Sequence, residues 1–277
     1  MTDAPASHDV PLNVVTALPS EARPLVDAYD LRTEERHGLR IASGPGVRVA
    51  VVGIGRLAMA SGVGFLAGAF PGPAIWLNVG IAGHGRYGVG EVLMAHAVED
   101  RATGKSFYPP LVVAPPVPTG RVVTVDEPET TYGEDAAFDM EAAAFLAAAR
   151  RFQTAELAHV LKVVSDGPDS PIASINRERV AGWIKAALPA IEALRRSLTP
   201  VADAHLALQG RPSGEAELLG RWHFTTSDRR ALRRELVRGR ALGFNLETVD
   251  FAGARRGRDV VATLRRHLDT LAIGERP

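Results

Sequence analysis

Five short apolar runs rich in β-branched residues recur along the chain: LNVVTA (12–17), VRVAVV (47–52), AIWLNVG (74–80), EVLMAHAV (91–98) and HVLKVVSD (159–166). Several are apolar almost throughout rather than at alternate positions, the pattern of strands buried on both faces. Helical patterns fall between or after them, at 20–29, 56–70 and 140–152, with a long amphipathic stretch over about 174–198. Strands buried on both faces need helices on both faces, so the expected fold class is α/β. In such sheets ligands collect at the carboxyl ends of the strands. The polar residues at those ends are therefore the first candidates for function.

Composition removes several alternatives. Lys plus Arg and Asp plus Glu balance at 32 each in the 277 residues, so no global field recruits nucleic acid or an anionic membrane. Cysteine is absent, which excludes disulfides, thiolate metal sites and a cysteine nucleophile and is compatible with a cytoplasmic protein. Residues 57–83 carry no Asp, Glu, Lys or Arg, yet Pro71-Gly72-Pro73 interrupts them. Gly62, Gly64 and Gly68 fit close helix–sheet packing better than a membrane span. The opening MTDAPASHDVP has neither a basic start nor an apolar core, and residues 1–11 read as a loose tail.

Three acids fall where strands end. Glu21 follows the first strand in ALPSEARPL, Glu141 sits in AAFDMEAAAFLAAARRF ahead of an alanine-rich helix, and Asp166 closes LKVVSD. Each has a purely structural explanation: Glu21 and Glu141 complement a helix N-terminus, and Asp166 starts a turn. Their common placement favours a binding role instead.

Gly53-Ile54-Gly55-Arg56-Leu57-Ala58 follows a strand and opens a helix, as a dinucleotide fingerprint does. That fingerprint wants an acid about 20 residues on to hold the ribose, and no acid lies between residues 53 and 90. A phosphate-binding G-x-x-x-x-G-K-[ST] loop and an H-E-x-x-H zinc motif are also lacking, and no cofactor or metal is expected. His84, in GIAGHGRYG, reads as a loop residue.

In order, VVTALPSEARPL, VVGIGRLAMASGVGFL, LNVGIAGHGRYGVGEVLMAHAVED, FDMEAAAFLAAA and KVVSDGPD resemble the nucleoside phosphorylase and nucleosidase superfamily, most nearly the methylthioadenosine/S-adenosylhomocysteine nucleosidases. The resemblance spans residues 12–198 and implies an α/β domain with a mixed, partly closed central sheet. It implies cleavage of a purine N-glycosidic bond, which leaves positive charge on the ribose and negative charge on the departing base. Asp166 would be the general acid toward N7, fixed by Ser165. Glu141 would accept from the ribose hydroxyls while Met140 packs on the sugar, and Glu21 would orient or deprotonate water. Gly80, Ala82 and Gly83 would let the backbone approach the ligand. The implied partners are a small nucleoside, water or phosphate as co-substrate, and a second copy of the chain. In this reading the loop Leu18-Pro19-Ser20 favours water over phosphate, while Arg56 keeps phosphorolysis as the alternative. A third possibility is a nucleoside-binding module without catalysis.

The chain departs from the family between Asp100 and Asp139, a segment that is short and lacks helix-forming patterns. Phe107, Tyr108, Glu127 and Tyr132 are candidates to replace the missing base pocket there. Ile81 and His84 stand where small residues are usual. Beyond the resemblance, residues 199–214 read as a linker and 215–277 as a basic helical extension. From Arg211 onward fourteen Arg face nine Asp and Glu. Without a nucleic-acid-binding motif, this is read as a solvated face rather than a nucleic-acid arm. Leu232, Leu236 and Val237 are expected to cover an apolar surface of the main domain or of a partner subunit.

Overall fold

The computed structural model describes residues 10–209 and 212–274. They form two compact units, up to His205 and from Leu206 onward. The first unit is built on β1 (Leu12–Thr16), α1 (Pro19–Ala28), β2 (Arg32–Arg36), β3 (Leu39–Gly44), β4 (Val47–Val51), α2 (Arg56–Ala69), β5 (Ile75–His84) and β6 (Val92–Asp100). It continues through β7 (Lys105–Phe107), β8 (Thr119–Thr124), β9 (Ala137–Asp139), α3 (Ala142–Ala149) and β10 (Ala158–Asp166) into α4 (Arg177–Gln209).

The five apolar runs are β1, β4, β5, β6 and β10. Every residue of β1 and of β10 is buried, as strands covered on both faces require. The sheet is mixed. β1 lies parallel between β4 and β5, and β5 pairs in parallel with β10. β10 pairs with β6, β6 with β8, β8 with β9, and β9 returns antiparallel to β5, so five strands close a ring. The short strand β9 completes that ring with three residues.

Residues 32–44 and 119–139 carry strands that the apolar pattern does not reveal. β2 is exposed at all five positions, so its RTEER sequence has no buried face to mark. β8 and β9 are short, and their identity comes from pairing partners distant in sequence. The tail expected over 1–11 lies outside the described residues except for Val10 and Pro11. Val10 is buried, and the Pro11 carbonyl accepts the Ile75 N–H at 2.9 Å, so these two are held against the first unit just ahead of β1.

α2 and α3 bury a shared apolar face that includes Met59, Val63, Leu66, Phe145 and Leu146. Of the three glycines expected to bring α2 onto the sheet, Gly62 does so. A Cβ there would stand 2.1 Å from Val52 Cγ1, whereas Gly64 and Gly68 face open space.

Residues 199–209 do not form a linker: α4 continues through Pro200 to Gln209. Buried Leu194, Leu198 and Ala202 repeat every four residues across the proline, and this stripe outweighs its local helix-breaking preference.

In the second unit α4 is followed by α5 (Glu215–Arg221), α6 (Thr226–Ala241) and α7 (Gly257–Gly274). Asp228 closes a capping box with Thr225, and Asp259 accepts the Arg255 and Arg256 N–H groups. Leu232 and Leu236 are buried with Leu218, Phe224, Val260, Leu264 and Leu268. They serve this unit's own core, because a bundle of short helices must bury its apolar stripes internally to be compact. No helix among the described residues is long and apolar enough to cross a membrane.

Gly62→Ala forces a methyl group into Val52 and is expected to lower stability by about 1–3 kcal/mol in chemical denaturation, with Val52→Ala recovering part of the loss.

Candidate active site

β9 and the turn after it organise the site. Asp139, the last residue of β9, is opposite Thr124 in the register with β8, and Thr124 Oγ1 donates to its Oδ1 at 2.7 Å. The other Asp139 oxygen accepts the backbone N–H groups of Glu141 (3.2 Å) and Ala142 (2.8 Å), while Thr124 Oγ1 accepts the Ala143 N–H at 2.9 Å. Asp139 and Thr124 therefore perform the helix-capping job at the start of α3. Glu141, at the N-cap position, is free for another task. Its Oε1 accepts the Gly55 N–H at 2.8 Å, and its carboxylate lines a cavity.

Gly53 and Gly55 both adopt φ near +95°, at +94° and +96°. That left-handed backbone favours glycine and aims the Gly55 amide at Glu141. The G-x-G sequence thus supports an acid rather than a dinucleotide.

Glu21, in the first turn of α1, is buried. Its Oε2 accepts the N–H groups of Ala17 (2.9 Å) and Leu18 (2.8 Å), and its Oε1 accepts that of Ile81 (3.0 Å). Burial, only partly offset by Lys162 and these amides, raises its pKa to about 6.

Asp166 ends β10. Ser165 Oγ donates to its Oδ1, and the Tyr132 hydroxyl donates to its Oδ2 at 2.5 Å. Burial and the Asp166 contact raise the Tyr132 pKa, so the phenol keeps its proton and remains a donor.

The residue the sequence reading passed over is Lys162. It lies in β10, fully buried, with Nζ 2.8 Å from Asp139 Oδ2. Burial acts against its charge, but Asp139, Glu141 and Glu21 outweigh that and raise its pKa. The same burial, reinforced by Asp139, raises the pKa of Glu141. A lysine inside the otherwise apolar run HVLKVV was the available signal, since a charge on a fully buried strand requires a buried partner.

One cavity of about 230 Å³ is lined by Glu21, Ala82, Gly83, Met140, Glu141, Ser165 and Asp166, together with Ile54, Val125 and Phe138. Seven of the expected site residues are thus brought together. Phe107 and Tyr108 are not. Phe107 belongs to β7, paired with the far end of β6, and lies in the apolar cluster that contains α3, with the Arg150 guanidinium 5.5 Å from its ring centre. Tyr108 is 67% exposed, and its carbonyl accepts from Arg150. Glu127 is exposed, and Pro128 and Glu129 line the cavity in its place. Gly80 does not line the cavity: a Cβ there would stand 2.9 Å from Glu21 Oε1 and 3.3 Å from Lys162 Nζ. Its missing side chain makes room for the charged cluster rather than for a ligand. His84 accepts the Arg86 (3.0 Å) and Tyr87 (3.3 Å) N–H groups at Nδ1, which makes it a loop-organising residue.

Solved structures with a similar fold include methylthioadenosine/S-adenosylhomocysteine nucleosidases. That of Colwellia psychrerythraea 34H, in complex with adenine, superposes with a TM-score of 0.59 at 20% identity over 68% of this chain and 96% of that one. The Streptococcus pneumoniae enzyme with 8-aminoadenine gives 0.57 at 22% identity over 68% and 100%. A Helicobacter pylori variant with 5′-methylthioadenosine in its active site gives 0.56 at 13% identity over 67% and 97%. The chain has the methylthioadenosine/S-adenosylhomocysteine nucleosidase fold. No protein-family model and no curated protein matches the sequence. Within the nucleosidase fold, the cavity lies where β1, β5 and β10 end, with Ala17, Leu18, Ala82, Gly83 and Asp166 in its wall.

Lys162→Met leaves Asp139 buried without its cation and is expected to cost about 3–5 kcal/mol of folding stability, measured by denaturant titration.

Proposed function

We propose that the protein hydrolyses the N-glycosidic bond of a purine nucleoside or thionucleoside, with adenine-bearing thionucleosides as the first class to test. The carrying observation is that Glu21, Glu141 and Asp166, from three separate elements, meet at one cavity in a chain with the nucleosidase fold.

In this reading Asp166 delivers a proton to N7 of the base as the C1′–N9 bond breaks and its electron pair leaves with the base. Water adds its oxygen to C1′ and gives a proton to Glu21. Three backbone amides hold Glu21 in place, and a pKa of about 6 leaves it ionised near neutrality but still a competent base. Glu141 accepts from the ribose hydroxyls, and Met140 lies against the sugar.

Electrostatics supports water over phosphate. The cavity wall contains Glu21, Glu129, Asp139, Glu141 and Asp166 and no Lys or Arg among the described residues. Arg56, the candidate phosphate ligand, pairs with Asp100 at 2.5 Å and also with Asp126. An arginine engaged by two carboxylates is not free to bind an anion. A homodimer belongs to the same reading: Ile54, in the cavity wall, is 57% exposed and Leu57 is 83% exposed, a pair that a partner subunit would cover.

Incubation with methylthioadenosine, S-adenosylhomocysteine, adenosine and inosine, with and without phosphate, is expected to release free base without phosphate. Strict phosphate dependence would reverse the choice of nucleophile, and binding of every nucleoside without cleavage would leave a binding module. Asp166→Asn is expected to lower kcat by about 10²–10⁴-fold while sparing binding, and Glu141→Gln to weaken both KM and kcat.

Glu21 must be ionised to accept a proton. The expected pH profile of kcat/KM therefore falls as pH drops through about 6.

A further inference from the structure

The contact between Tyr132 and Asp166 is not explained by the proposed chemistry alone. Tyr132 lies in the short segment between β8 and β9, and its hydroxyl donates to Asp166 Oδ2 at 2.5 Å. It is not part of the cavity wall, so it touches the acid without taking space from a ligand.

Several features of the chain accommodate this contact. Tyr132 holds a left-handed backbone, φ +48°, which a residue with a side chain rarely adopts. Its ring meets Phe138 edge-on, with centres 6.3 Å apart. A Cβ on Gly83 would fall 2.5 Å from Asp166 Oδ2 and 2.7 Å from Tyr132 Cε1, and one on Gly85 would fall 2.8 Å from the Tyr132 carbonyl. The two glycines flanking His84 therefore leave room for the tyrosine and its carboxylate partner.

A carboxyl group on a freely rotating stem delivers a proton in many directions, of which one is useful. Each oxygen offers two acceptor positions. Ser165 occupies one on Oδ1 and Tyr132 one on Oδ2, which fixes the rotation of the group and leaves a remaining position to carry the proton that the acid donates to the base. We propose that Tyr132 is a positioning residue for the general acid, holding the Asp166 carboxyl in the orientation from which it protonates the purine. The proposal rests on the reading of Asp166 as that acid. It gives the shortened segment after β8 a second role beside lining the cavity through Val125, Pro128 and Glu129.

The test is Tyr132→Phe, which keeps the ring and removes the donor, in the full-length protein with methylthioadenosine and adenosine as substrates. The expected result is a kcat lowered about 10–100-fold, with KM within about twofold of wild type and an unchanged melting temperature, because orientation in the transition state is lost while ground-state binding is not. An unchanged kcat, or a raised KM at constant kcat, would overturn the positioning role. Loss of kcat together with a lowered melting temperature would show that the hydroxyl is merely structural, and would also overturn it. Wild-type protein that releases no base from any nucleoside overturns the hydrolase reading itself. Wild type that releases base while the phenylalanine variant matches it overturns only the role of Tyr132.

Discussion

The buried ammonium of Lys162 is the constraint to which the rest of the site conforms. A cation on a strand with no exposed position must be paired, because its desolvation otherwise costs several kcal/mol. Asp139 supplies the partner, and β9 must lie within reach of β10 for it to do so. The residues after Asp139 then have little freedom: Met140 and Glu141 follow directly and α3 begins at Ala142. Gly80, opposite Lys162 in the register of β5 with β10, leaves the space in which Glu21 approaches the same cation. Around Lys162 gather Asp139, Glu141 and Glu21, and burial raises the pKa values of the two glutamates while the cation draws them part of the way back down.

The acids are held by donors in place before any ligand arrives. Glu21 is gripped by three amides, Glu141 by the Gly55 amide, and Asp166 by two hydroxyls. Such fixed dipoles need no reorganisation during a reaction, which is the main advantage of a protein site over water. The glycines act in the same cause. Gly55 turns an amide toward Glu141, while Gly80 and Gly83 make room for carboxylates that a methyl group would displace.

The second unit follows a different principle. Its apolar residues, Leu218, Phe224, Leu232, Leu236 and Leu264 among them, form a core of their own. Many of its arginines pair with acids in the same unit: Arg265 and Arg238 meet Glu235, Arg238 also reaches Asp269, and Arg221 meets Glu217. Part of the charge is thus held in local ion pairs, as expected of solvated helix faces, while the net basic excess of the unit remains.

The sequence by itself determined the five central strands, the helices between them and the acids at their ends. Those features are local: an apolar run of β-branched residues marks a buried strand, and an alanine-rich stretch after an acid marks a helix start, without knowledge of any neighbour. It also marked Asp166, Glu141 and Glu21 as acids close to strand ends, where the cavity lies. Tertiary structure alone decided which acid caps α3, that Lys162 sits among the carboxylates, that Phe107 and Tyr108 turn away from the cavity, and that Tyr132 reaches Asp166. These depend on pairings between strands tens of residues apart, such as Gly83 with Phe138 and Lys162 with Gly80, which leave no periodic trace in either partner. A contact of that kind is set by the closure of the five-strand ring, and until the ring closes the residues have no common neighbourhood.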